Sequence, residues 1–229
     1  MGNKQKSRRT KKINGIRNIH WMANKIDKKV PTRTRILTKE EVKAKCKNGA
    51  IAIAGKTHTA IKRAVNEFVK KYKRVPSGIG CPVISLSEND KRRKKIVDLL
   101  LETEAIPKGA EVIVDGPLAP WIAMPTGETE YHPDVSAYNK DKDVKEDREN
   151  DMEYTTLVYV VALRDEKKTP QVFYEICGRV RHVPQKNEIG YVMTINKPGE
   201  WVSFPSIQTH CGWGSKRTII SLIYKTKKT

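Results

Sequence analysis

Residue types that could bind a metal occur in two segments, YHPD at 131–134 and FPSIQTHCGWGSKR at 204–217. The first offers His132 and Asp134, two residues apart, and the second offers His210. Two histidines and one carboxylate on one face of a metal ion leave open positions opposite, the arrangement suited to a non-haem Fe(II) oxygenase. The sequence therefore predicts a metal site formed by these three side chains.

The elements that must position this site are strands. After residue 109 the chain has six segments that are rich in β-branched or aromatic residues and bounded by Gly, Pro or charged residues. Short strands with irregular loops and no helical period between them favour a sandwich or barrel, and we assign 110–229 to this β core. The predicted strands are 111–116, 155–163, 171–176, 189–195, 200–204 and 217–224.

Helical patterns dominate residues 36–109, so the predicted fold class is α+β. A capping-box start at Thr38 predicts a short helix to about residue 47. Apolar residues at helical spacing predict a second helix over 58–73, and a third is expected over 87–104. The third contains the KRRKK run, which we interpret as a solvated face, with a phosphate-contacting ridge as the alternative.

Charge is distributed very unevenly. Residues 1–80 contain 23 Lys and Arg against 4 Asp and Glu, whereas the remaining residues contain 22 of each class. Residues 1–35 show no sustained apolar period and are predicted to be a basic flexible arm. A segment this cationic attracts polyanions, so we predict that residues 1–80 bind nucleic acid, with a solubilising or targeting tail as the alternative. The charged segment 139–153 is predicted to be a mobile loop or lid.

Composition excludes several classes. With 38% hydrophobic and 31% charged residues among 229, the chain has a globular composition. Its longest apolar runs are far too short to span a bilayer, so no membrane association is expected. The four cysteines are scattered without a C-x-x-C pair, which argues against a zinc knuckle or disulfide scaffold. Scattered cysteines are typical of a reducing intracellular compartment, cytoplasm or nucleus.

The segments YHPD, PGEWVSFPSIQTH and GSKRTIISL together resemble the 2-oxoglutarate- and Fe(II)-dependent dioxygenases. The resemblance implies a double-stranded β-helix, a jelly-roll or cupin-like fold, in which the strands before His210 and at Arg217 lie side by side. It implies that His132, Asp134 and His210 bind Fe(II). It also implies that Arg217 holds the distal carboxylate of 2-oxoglutarate, a role that suits its fixed bidentate fork. No further side chain is assigned a catalytic role.

A neutral barrel joined to a cationic half is most similar to the nucleobase-oxidising branch of that family, the methylcytosine oxidases, base-J thymidine hydroxylases and alkyl-base demethylases. The resemblance then implies hydroxylation of a C–H bond on a base of DNA or RNA, extruded from its stack. A hydroxylase acting on a nucleic-acid-associated protein would carry the same charge. The non-enzymatic alternatives are a small viral capsid protein with a basic arm, and a degenerate barrel that binds nucleic acid without turnover.

Overall fold

A computed structural model describes the chain over residues 12–13, 16–17, 39–49, 52–76, 81–86, 91–114, 118–129, 132–135, 151–164, 172–176, 191–214 and 216–228. The predicted arm and the predicted charged loop lie largely outside these residues. The described helices are α1 (Lys39–Lys45), α2 (Gly55–Lys71) and α3 (Lys91–Leu101). Within this part of the chain, no helix combines the length and apolar character needed to cross a membrane.

The strands of the described residues are mostly short. They are β1 (Lys12–Ile13), β2 (Ile16–Arg17), β3 (Lys47–Gly49), β4 (Val75–Pro76), β5 (Pro82–Ser85), β6 (Glu111–Val112), β7 (Trp121–Ala123), β8 (Met152–Leu163), β9 (Val172–Ile176), β10 (Tyr191–Ile195), β11 (Trp201–Pro205), β12 (His210–Gly214) and β13 (Arg217–Lys227). Strands β1 and β2 pair with each other.

The other strands form two antiparallel sheets. The large sheet has the order β3-β11-β8-β13-β7-β5-β4, with β6 also paired to β13. The small sheet has the order β10-β9-β12. An isolated bridge between His132 and His210 places the segment around residue 132 beside β12. From β7 onward the chain passes repeatedly between the sheets, which is consistent with a double-stranded β-helix. The strands before His210 and at Arg217, β11 and β13, were expected to lie side by side. That expectation is wrong, because β8 lies between them and pairs with both.

Strand β8 organises the core because both of its faces are covered. Alternate side chains of a strand point to opposite faces. Leu157 and Tyr159 pack outward into the core cluster that includes the helices, whereas Val158 and Val160 pack inward with residues of the small sheet. This explains why the strand reads as an almost continuous apolar run.

Helices α2 and α3 cover the outer face of the large sheet, whereas Val42 of α1 packs with the cluster between the two sheets. Helix α2 buries one stripe, Ile61, Ala64, Val65 and Phe68, and each fully buried large apolar side chain contributes about 1.5–3 kcal/mol. Along the chain, strand β3 falls between α1 and α2, and strands β4 and β5 fall between α2 and α3. All three strands join the large sheet, so the segment predicted as helical supplies strands as well.

Candidate metal centre

His132, Asp134 and His210 converge as the sequence predicts. Their candidate ligand atoms all lie within 4.8 Å of one another. His132 Nε2 is 3.5 Å from Asp134 Oδ1, and His210 Nε2 is 3.6 Å from Asp134 Oδ2. His210 is buried, and the Asp134 side chain is only 7% exposed. The cluster is therefore largely shielded from water.

Backbone hydrogen bonds hold the segment that carries the first two candidate ligands. His132 and His210 each donate the backbone N–H to the carbonyl of the other at 3.0 Å. Two residues later, the backbone N–H groups of Asp134 and Val135 both donate to the carbonyl of Ser206 at 3.0 Å. The spacing of the ligands is thus fixed by β12 and by the turn that precedes it.

The carboxylate of Asp134 is oriented by a hydroxyl that the sequence did not reveal. Thr156 Oγ1 donates to Asp134 Oδ2 at 2.6 Å and lies 2.9 Å from Ser206 Oγ. Thr156 is fully buried on the inner face of β8. Partners of this kind orient a ligating carboxylate and tune its affinity for metal.

The ring of His210 is held in one tautomer. Its Nδ1 lies 3.1 Å from the backbone carbonyl of Gln208, which can only accept a hydrogen bond. Nδ1 must therefore carry the hydrogen, and in the neutral ring Nε2 keeps its lone pair. That lone pair is on the nitrogen that faces Asp134.

Electrostatics keep Nε2 of His210 and the carboxylate of Asp134 unprotonated at neutral pH. Burial disfavours the imidazolium and, with the nearby His132, lowers the pKa of His210 to about 4 despite the opposing pull of Asp134. Burial alone would raise the pKa of Asp134, but His210, His132 and Thr156 outweigh it and lower that pKa to about 2. At neutral pH a lone pair and a carboxylate consequently face each other in a buried space. A divalent cation between them would satisfy both, and the donor set of two imidazoles and one carboxylate suits Fe(II).

Arg217 lies inside the fold at the first residue of β13 and is fully buried. It is on the same strand face as Ile219, which packs between the two sheets, and as Ser221. Its Nη1 donates to the carbonyl of Gly127 at 3.1 Å. About 13 Å of strand separates Arg217 from Ser221, which borders the metal cluster.

A pocket of about 210 Å³ opens beside His132 and Asp134. Its walls are mainly apolar, with an indole at Trp121 and a hydroxyl at Ser221. None of its described lining residues is cationic. The lining residues are Leu118, Ala119, Trp121, His132, Pro133, Asp134, Ser221, Leu222 and Ile223. The pocket therefore places a mainly apolar space directly beside two of the candidate metal ligands.

No protein-family profile matches the sequence, and no curated protein is detectably similar to it. The structure is similar to that of a prolyl hydroxylase from Trichoplax adhaerens, solved with a hypoxia inducible factor peptide fragment. The TM-score is 0.50 at 12% identity, covering 82% of this chain and 87% of the other. It is also similar to SnoK, a non-haem α-ketoglutarate-dependent carbocyclase of nogalamycin biosynthesis, with a TM-score of 0.52 at 13% identity, covering 82% and 84%. The likeness shows a shared fold.

Proposed function

We propose that this protein is an Fe(II)- and 2-oxoglutarate-dependent dioxygenase that hydroxylates a C–H bond. The observation that carries the proposal is the convergence of two imidazole nitrogens and a carboxylate, whose candidate ligand atoms all lie within 4.8 Å of one another. When bound, Fe(II) with 2-oxoglutarate supplies the activation of dioxygen that attack on a C–H bond requires. The likeness in fold to α-ketoglutarate-dependent enzymes supports this choice of cofactors.

Each ligand has a defined part in this proposal. His132, Asp134 and His210 hold the ion, and the hydroxyl of Thr156 keeps the carboxylate turned towards it. Arg217 would bind the distal carboxylate of 2-oxoglutarate through two parallel N–H donors. Its position in the space between the sheets supports that role, because charge-assisted hydrogen bonds are stronger away from water.

For the substrate we propose a nucleobase of DNA or RNA. The excess of cations in residues 1–80 supports a polyanionic partner. The pocket supports an uncharged group at the metal, since an extruded base can stack on Trp121 and hydrogen bond to Ser221. Phosphates would remain outside this pocket.

A peptide side chain is the second candidate. The Trichoplax prolyl hydroxylase was solved with a peptide, and an apolar pocket without described cationic residues also suits an uncharged side chain of a nucleic-acid-associated protein. The capsid alternative is disfavoured, because a purely structural jelly roll gains no stability from burying a carboxylate beside two imidazoles.

Anaerobic titration with Mn(II), followed by an assay for succinate, tests the proposal. We expect stoichiometric binding and succinate release that depends on Fe(II) and 2-oxoglutarate. Single-stranded DNA, RNA and proline-containing peptides should then be compared as stimulants of that release. A folded protein that binds neither Fe(II) nor Mn(II) would overturn the oxygenase assignment. Stimulation by peptides alone would overturn the nucleobase assignment and retain the chemistry.

A further inference from the structure

Helix α2 presents a straight line of cations to solvent. Its buried stripe is centred on Ile61 and Phe68, and Lys56, Arg63 and Lys70 lie on the opposite side. These three are exposed and recur every seven residues, which places them on one ridge with neighbours about 10 Å apart. Residues 55–74 contain seven Lys and Arg against one acidic residue.

Helix α3 continues the same surface. It buries Ile96 and Leu100 in the core cluster that also holds the buried stripe of α2, so the two helices lie side by side on the large sheet. Its opposite side exposes Lys91 and Lys95. Residues 91–101 contain five Lys and Arg against one acidic residue. We call the exposed side of α2 and α3 the cationic helix surface.

The large sheet separates this surface from the metal centre. Leu157 and Tyr159 of β8 point outward into the core beneath the helices. The adjacent residue of the same strand, Thr156, points inward and donates to Asp134. Because adjacent side chains of one strand face opposite ways, the cations and the metal ligands lie on opposite sides of the same sheet.

The chemistry of the surface fits phosphates better than a lipid bilayer. Residues Thr59 and Asn66, which lie between the cations of the α2 ridge, are polar. A helix that lies in a membrane interface needs an apolar face beside its cations. Among the described residues, the large hydrophobics exposed to solvent are Val75 and Leu101, too few to provide such a face.

We infer that the cationic helix surface is a docking site for the phosphate backbone of nucleic acid, separate from the metal centre. This inference rests on the nucleic-acid partner proposed above and not on the iron chemistry. The segment held by α2 and α3 is then not the segment oxidised. The docked nucleic acid presents to the metal a base from further along the strand, so docking raises local substrate concentration without contacting the site.

The test is fluorescence anisotropy with a labelled DNA duplex, and with RNA of the same sequence, over a series of salt concentrations. The triple variant Lys56→Ala, Arg63→Ala, Lys70→Ala removes the α2 ridge. The matched control, Lys197→Ala, Lys216→Ala, Lys227→Ala, removes equal charge from exposed positions elsewhere in the fold. Each lost phosphate contact should reduce the slope of log affinity against log salt by about 0.9 for a duplex.

We expect the ridge variant to lose roughly 2–3 in that slope for the duplex and at least about tenfold in affinity at low salt. The control should change little, and Mn(II) binding should be unchanged in both. Equal losses in variant and control would overturn the inference, as would a ridge variant that no longer binds Mn(II). Loss of binding to phosphatidylserine vesicles, with oligonucleotide binding retained, would assign the surface to membranes instead. If wild-type protein binds Mn(II) but no oligonucleotide, the inference and the nucleic-acid partner are both wrong, and the oxygenase proposal is unaffected.

Discussion

His132 and His210 are backbone partners as well as neighbouring side chains. Each donates its N–H to the carbonyl of the other at 3.0 Å, and their ring centroids lie 4.5 Å apart. The two imidazoles are therefore brought together by strand pairing, which does not depend on the identity of either side chain. A substitution at one ligand should remove a metal donor and leave the pairing intact.

We accordingly expect His210→Ala to weaken Mn(II) binding by more than about 100-fold, since loss of a partner outside the ligand set alone costs about 10- to 100-fold. Calorimetric titration measures the effect, and circular dichroism checks the fold. His58→Ala is the matched control, because His58 bonds Tyr159 away from the cluster, with Nδ1 and the hydroxyl oxygen 2.5 Å apart. Equal weakening in both variants would show that His210 is not a ligand.

The sequence could predict that these three side chains meet because metal chemistry admits few residue types. His, Asp and their spacing within β-rich sequence were enough to predict a site whose atoms lie within 4.8 Å. Three strands of the large sheet were also predictable. Strands β8, β11 and β13 overlap the predicted segments because each is a run of β-branched and aromatic residues.

Tertiary pairing explains what the sequence could not give. Strand β12 reads HCGWG, with two glycines that disfavour strands, and exists because β9 pairs along it. Strand β3 reads KNG and is extended by pairing with β11. Thr156 follows another threonine, Thr155, so the sequence alone does not distinguish the two hydroxyls. Only the direction of its side chain from β8 places its hydroxyl on Asp134.

Thr156→Val should weaken Mn(II) affinity by about 10- to 100-fold, because it removes the hydroxyl that orients Asp134. Thr156→Ser restores a hydroxyl at the same position and should recover most of the affinity. Titration of the two variants side by side separates orientation from packing. If valine and serine weaken binding equally, the hydroxyl does not position the carboxylate.

Gly49→Ala should destabilise the protein by about 1–3 kcal/mol or more. Gly49 pairs with Trp201 across β3 and β11, and a Cβ added there would lie 2.0 Å from Trp201 Nε1. Gly55→Ala is the control, because an added Cβ at that position meets nothing within 4 Å. Urea unfolding compares the two. Similar midpoints would mean that β3 does not pack against Trp201 as described.

Arg217→Lys should weaken 2-oxoglutarate binding by about 10- to 100-fold while leaving Mn(II) affinity unchanged. The change keeps the positive charge but replaces a planar fork with a point charge, so the paired N–H donors for a carboxylate are lost. A charge-assisted hydrogen bond is worth about 1.5–3 kcal/mol, which sets the expected range.

The measurement is the dependence of succinate release on 2-oxoglutarate concentration, together with a direct Mn(II) titration of the same preparation. Arg164→Lys is the matched control, since Arg164 is exposed just after β8 and should show unchanged behaviour. Arg217 also donates to the carbonyl of Gly127, so the variant has a structural role to lose as well. A variant that unfolds at lower temperature yet binds 2-oxoglutarate as wild type does would limit Arg217 to that role, because a co-substrate ligand cannot be replaced without a change in co-substrate affinity.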